Sequence, residues 1–364
     1  MKSDSQIKLK RVRDYLEKNA FSGMVLARHD TFSWITTGGS DQVILSQTEG
    51  AGAVVVTRDR VCMVAQVMDG QRIMDEEMSG LEAEYVPLYW YEDSPLRRAV
   101  RLAGENPVCD VPVAGAEFRL DDIFALQFPL TETEVSRLKT LGEMSDRILS
   151  DAARSIRPGM VDYEVGAMLQ SEYEKRNAQC DVLLVGTDER IFRYKHAVPS
   201  GAKLGRYVLL HTAARLGGLH CNVTRSVYFG DRLPDDIAGA YEAVSEIEAH
   251  NMSRCVTGTR WSDIFSEHKD LLRRLGFAED WRGHYPGGRT GYFVCQCGLS
   301  QDPENRILDG EAYDWFVTVT GAKVEELGLN ADGAFSVLSQ TGRWPSKTFR
   351  ANGSSFALPQ IMMR

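Results

Sequence analysis

A chain of 364 residues is long enough for two or three domains, each with its own core. Its 42 basic and 51 acidic residues give a net charge of -9, and no Lys/Arg block can track a phosphate backbone, which argues against a nucleic-acid partner. No apolar run is long enough for a membrane span, and the charged start lacks the apolar core of a secretory signal.

Ile7–Lys18 carries a helical stripe of Leu9, Val12, Tyr15 and Leu16. Short β-rich runs follow at Gly23–Arg28, Phe32–Thr37, Gly52–Thr57 and Arg60–Gln66. Gly70–Met78 reads as helix, Glu84–Tyr91 as strand, Leu96–Leu102 as helix and Val108–Val113 as a last strand. This alternation predicts an α/β domain over residues 1–128. No GxGxxG opens a helix, so there is no dinucleotide fingerprint. Tyr85, Tyr89, Trp90 and Tyr91 form an aromatic cluster suited either to a core or to an interface.

Pro129 marks a boundary, and a second domain spans 129–364. Thr131 and Glu134 fit a capping box before a long amphipathic helix that stops at Arg157-Pro158-Gly159. A second helix spans Tyr163–Asn177, and Val182–Val185 is a strand. The stretch Tyr207–Gly230 is a hairpin about Gly217-Gly218. The hairpin is expected to put His211 directly opposite Asn222, a polar pair in an apolar hairpin. Helices follow at Pro234–Arg254 and Asp263–Leu275. The two helix pairs align around Gly159 and Gly258, which predicts two αα–ββ halves with a cleft between them. The seven scattered cysteines predict reduced thiols in a cytoplasmic protein, and Cys295-Gln296-Cys297 reads as strand rather than zinc knuckle.

The layout, the Arg-Pro-Gly-Met turn at 157–160 and the hairpin ending Asn222-x-Thr224-Arg225 resemble the aminopeptidase P, prolidase and creatinase family. The resemblance implies a creatinase-like α/β N-terminal domain and an α+β pita-bread C-terminal domain. It implies descent from hydrolases that cleave Xaa-Pro peptides with two divalent ions held by two Asp, one His and two Glu. The first Asp of such relatives falls at His211 and the second, eleven residues on, at Asn222. His284 in Gly-His-Tyr-Pro matches the ligand His, and Glu325 in Lys-Val-Glu-Glu the last Glu. The remaining Glu is expected within Phe316–Gly321, which offers only Val and Thr.

Two close cations need bridging carboxylates, and Asn is a weak neutral donor. No dinuclear centre and no cofactor is therefore expected. A single zinc or manganese ion on His211, His284 and Glu325 is the alternative. His196, in Tyr-Lys-His-Ala-Val-Pro199, matches the loop histidine that is the acid–base in metal-free creatinase. The resemblance thus assigns His196 and Glu325 to catalysis, and His284 and Arg225 to substrate. For Arg225 a structural ion pair with an acidic helix residue is the competing role, and for Glu326 a solvated strand end. Metal-independent or altered hydrolysis of a small peptide or amide, non-catalytic binding of a peptide or small molecule, and creatinase-like amidine hydrolysis remain open. Relatives of this kind are often homodimers.

Overall fold

The computed structural model describes residues 3–297 and 304–364. Residues Met1–Thr133 form one compact unit and Glu134–Arg364 another.

The first unit opens with α1 (Asp4–Lys18), capped by a reciprocal pair in which Ser3 Oγ accepts from the Gln6 N–H and the Gln6 side chain accepts from the Ser3 N–H. There follow β1 (Gly23–Arg28), α2 (His29–Ile35), β2 (Glu49–Thr57), β3 (Val61–Gln66) and α3 (Val67–Arg72), which continues as a π turn over Ile73–Glu77. Then come β4 (Glu84–Leu88), α4 (Pro95–Leu102), β5 (Pro107–Cys109), β6 (Glu117–Phe118) and α5 (Leu120–Ala125). The strands form one mixed sheet in the order β4-β3-β2-β1-β5-β6. Val25, Val55 and Val64 pack beneath Ala99 and Val100 of α4. The run Phe32–Thr37 is not a strand: it lies in α2 and the turn after it, where Thr31 and the backbone of Ala27 and Arg28 donate to the buried Asp110 carboxylate. So short an apolar run does not separate helix from strand by periodicity. The last strand is also shorter than expected, ending at Cys109. Tyr89, Trp90 and Tyr91 are exposed.

The second unit contains α6 (Glu132–Ser155), α7 (Asp162–Glu174), β7 (Gln179–Thr187), α8 (Glu189–Arg193), β8 (Tyr207–Leu216), β9 (Leu219–Tyr228), α9 (Asp235–Arg254) and α10 (Trp261–Arg274). It continues with β10 (Gly287–Thr290), β11 (Glu311–Val319), β12 (Ala322–Ala331), β13 (Ala334–Val337), β14 (Ser346–Ala351), β15 (Ser354–Pro359) and β16 (Met362–Met363). The central path of the large sheet runs β10-β11-β12-β9-β8-β7. Gln296 makes only an isolated bridge to Arg289, so Cys295–Cys297 is not a regular strand. All seven cysteines are free thiols.

The expected duplication is visible in the hydrogen bonds. Gly159 N–H donates to Leu204 O and Leu204 N–H to Met160 O; Gly258 N–H donates to Ile307 O and Ile307 N–H to Thr259 O. The N–H at each following helix start repeats the match, Asp162 to Ala202 O and Trp261 to Asn305 O. Both glycines sit at positive φ, +89° and +90°. The strand order reads the same from either end once β7, β8 and β9 are exchanged for β10, β11 and β12. A pseudo-twofold axis therefore passes between the antiparallel neighbours β9 and β12.

Candidate active site

The β8–β9 turn is Gly217-Gly218, both at positive φ, which suits the two-residue turns that match strand twist. It pairs Leu216 with Leu219, and the register therefore sets His211 opposite Thr224 and Asn222 opposite Ala213. This corrects the direct His211–Asn222 pairing expected from the sequence. A two-residue shift preserves the side-chain face, so His211 and Asn222 remain diagonal neighbours. Across the axis Thr224 faces Glu325, and Glu325 faces Phe316. One row of side chains thus runs His211, Thr224, Glu325, Phe316 over four strands.

The pseudo-twofold generates a second row. Counted from the equivalent residues Leu204 and Ile307, His211 and Asp314 fall at the same step, as do Asn222 and Glu325. Two cross-strand pairs result, each the image of the other. His211 Nδ1 lies 2.7 Å from Glu325 Oε2, and Asn222 Nδ2 donates to Asp314 Oδ2. Glu325 Oε2 also accepts from Thr224 Oγ1 at 2.5 Å and lies 3.1 Å from Lys323 Nζ. Asn222 Nδ2 reaches Val294 O as well, at 3.1 Å. All six of these side chains are buried.

A histidine pair lies beside these rows. His284 Nδ1–H donates to Tyr285 O at 2.8 Å, leaving Nε2 as an acceptor. His196 Nε2 approaches it at 3.1 Å and is the donor, so the His196 Nδ1 lone pair is left as the available base. The His284 ring meets Phe316 edge-on at 5.2 Å, and Lys323 Nζ sits 5.4 Å from the centre of that same ring.

Burial and the nearby Lys323 charge lower the pKa of His196, against a smaller upward pull from Glu325. The same two causes bring His284 down to about 4, so both rings are neutral at pH 7. Burial also lowers His211, making it a neutral donor to Glu325. For Glu325 burial raises the pKa, but His211, Lys323 and Thr224 outweigh it and hold the carboxylate ionised. Asp314, buried and near Glu325, is pushed well above the carboxylate range despite the Asn222 amide. The carboxylates of the two image pairs, Glu325 and Asp314, are therefore held in opposite states.

Arg225 stands apart. One residue beyond Thr224, it points to the opposite face of the sheet, fully buried. Its Nη2 lies 2.9 Å from Asp146 Oδ1 of α6 and 3.0 Å from Ser339 O; Nη1 lies 2.9 Å from Glu326 and 3.0 Å from Thr224 O; Nε reaches Asp146 at 3.3 Å. Every N–H is engaged within the protein, so the ion pair with an acidic helix residue is the arrangement present. Glu326, expected as a solvated charge, is instead completely buried against Arg225 and Ser339. Arg215 pairs with Asp181, and Arg289 with Glu311.

The structure thus gathers His196, His284, His211 and Glu325 around Lys323, and sets Asn222 on Asp314. Sequence reading missed Asp314, Lys323 and Thr224. The signal for Asp314 was available: Asp314 and Glu325 are separated as His211 and Asn222 are, whereas the expected carboxylate was sought in Phe316–Gly321. Among the described residues no group of three or more His, Cys, Asp or Glu side chains is placed to hold a metal ion.

Residues 136–312 match the metallopeptidase family M24. The match spans just under half of the chain. The dipeptidase candidate YkvY of Bacillus subtilis strain 168 is 23% identical over 238 residues, covering 61% of this chain and 64% of that protein, just under two thirds of its length. The Xaa-Pro dipeptidase from Bacillus anthracis superposes with a TM-score of 0.77 at 17% identity, over 99% of this chain and 100% of its own. Dipeptidase PepE from Mycobacterium ulcerans gives 0.78 at 15%, over 99% and 98%. The chain has the prolidase architecture, an N-terminal α/β domain followed by the pita-bread domain. Among the described residues no helix is long and apolar enough to cross a membrane.

Proposed function

We propose that this M24 protein hydrolyses a C–N bond of a small peptide or amide without the dinuclear metal centre that the resemblance implies. The observation that carries this reading is the His196–His284 contact beside the Lys323–Glu325 pair. Two divalent ions need several anionic oxygens facing one space. Here Asn222 presents its amide nitrogen to Asp314 and Val294, and Glu325 Oε2 already receives His211, Thr224 and Lys323. These residues do not fit a dinuclear centre. A single ion on His211, His284 and Glu325 is also disfavoured, because His284 Nε2 is directed at His196.

In the reaction we envisage, water attacks the substrate carbonyl carbon and its proton passes to His196 Nδ1. His284 Nε2, kept unprotonated, accepts the Nε2–H bond of the resulting imidazolium, and the Glu325 charge favours that cation. The C–N bond then breaks as His196 returns the proton to the leaving nitrogen, giving a carboxylate and an amine. The test is turnover of Xaa-Pro dipeptides and simple amides with and without a chelator, for the natural chain and His196→Ala. Loss in the variant and indifference to chelator are expected; chelator-sensitive turnover contradicts the reading.

Binding without turnover is the second reading. It draws on a depression of about 780 Å³ beside His284, walled by Phe265, Trp281 and Tyr285, which suits an apolar side chain. A dipeptide that binds but is never cleaved would favour it.

A further inference from the structure

We infer that Lys323 is a tethered cation that takes the place of a bound metal charge at Glu325. The inference rests on the metal-free reading above, and it identifies what replaces the ions.

A lysine buried to 4% exposure in a sheet is costly unless its charge is matched. The match is specific. Lys323 and Glu325 lie on the same face of β12, two residues apart, and Nζ reaches the oxygen that also receives His211 and Thr224. The ammonium is further supported by the Phe316 ring beneath it, itself opposite Glu325 in the register. The pseudo-twofold sharpens the assignment. Of the two image positions, Asn222 has no carboxylate and Glu325 has one, and Lys323 stands at Glu325. Lys323 Nζ and the His284 ring both meet the Phe316 ring, which brings the ammonium into the neighbourhood of the histidine pair.

The experiment restores carboxylates at the two replaced positions and then removes the lysine. Mn²⁺ is titrated calorimetrically into the natural chain, into His211→Asp/Asn222→Asp, and into the same double variant carrying Lys323→Gln. We expect the triple variant to bind Mn²⁺ at least about tenfold more tightly than the double variant, because an ammonium at Glu325 opposes a second cation there. Equal affinities, or no binding by the triple variant, overturn the inference. Thermal melts without metal give an answer should the multiple variants not fold. Lys323→Gln lowers the melting temperature, and Lys323→Gln/Glu325→Gln recovers most of the loss. If the second change gives no recovery, Lys323 is not neutralising Glu325. Failure of the dipeptide assay with success here separates the catalytic reading from this one.

Discussion

His196 and His284 meet through their Nε2 atoms at 3.1 Å, and the Tyr285 carbonyl decides which of them donates. A loop histidine and a histidine before a Pro-Gly-Gly turn, remote in sequence, are thereby brought into direct contact. The chemistry proposed for the cleft depends on that contact.

Replacing His196 by Ala removes the proposed base and is expected to lower kcat by about 10²–10⁴-fold with little change in fold. The natural chain should lose activity as the pH falls. Because the pKa of His196 is depressed, the unprotonated base is present at neutrality and disappears only below the ordinary histidine value of 6.5. A pH–rate profile on a cleaved dipeptide locates this limb; a limb above 6.5 assigns the proton to another group.

Arg225 holds two buried carboxylates, Asp146 and Glu326, on the face away from the cleft. Arg225→Met should destabilise the protein by about 3–5 kcal/mol, since it strands buried charge. Denaturant melting measures this. Conversely, a variant of normal stability with weakened substrate binding would return Arg225 to the substrate.

Stability should fall on acidification. His268 is buried and its pKa is lowered to about 4 by loss of solvent. The unfolded chain therefore takes up its proton near 6.5 while the folded chain resists until about 4. The corresponding contribution, about 3 kcal/mol, is complete above pH 6.5 and is lost progressively as pH drops towards 4. Melting curves of the natural chain and His268→Gln across this window test it: the variant should show a shallower pH slope.

The duplicated turns make a symmetric prediction. A Cβ at Gly159 or Gly258 meets nothing within 4 Å, so Ala at either place is opposed only by the left-handed backbone. Each substitution should cost about 1–2 kcal/mol, and by nearly equal amounts. Paired unfolding measurements that differ several-fold would mean the two turns do different jobs.

Much of this architecture was legible because its signals are local. Gly217-Gly218 specified the hairpin, Pro234 and Gly258 bracketed α9, and the Gly159 and Gly258 turns exposed the repeat. The absence of carboxylates at 211 and 222, where the resemblance implies them, was equally plain. The sequence did not reveal the cation proposed to stand in for the ions. Lys323 reads as an ordinary strand lysine because nothing local shows that the face of β12 it shares with Glu325 is buried. Asp314 shows in the sequence only through its spacing to Glu325, the same as that of His211 to Asn222, and it precedes the stretch where the resemblance places a ligand. Glu326 failed in the other direction, since nothing local distinguishes a buried ion pair from a solvated one. Contacts across the pseudo-twofold axis are non-local, and no periodicity encodes them.

The central claim is that the proposed active site works without two bound ions. Elemental analysis of native protein purified without chelator tests it most directly. The account predicts manganese, cobalt and zinc each well below one equivalent per subunit. Two equivalents of tightly held metal would contradict it.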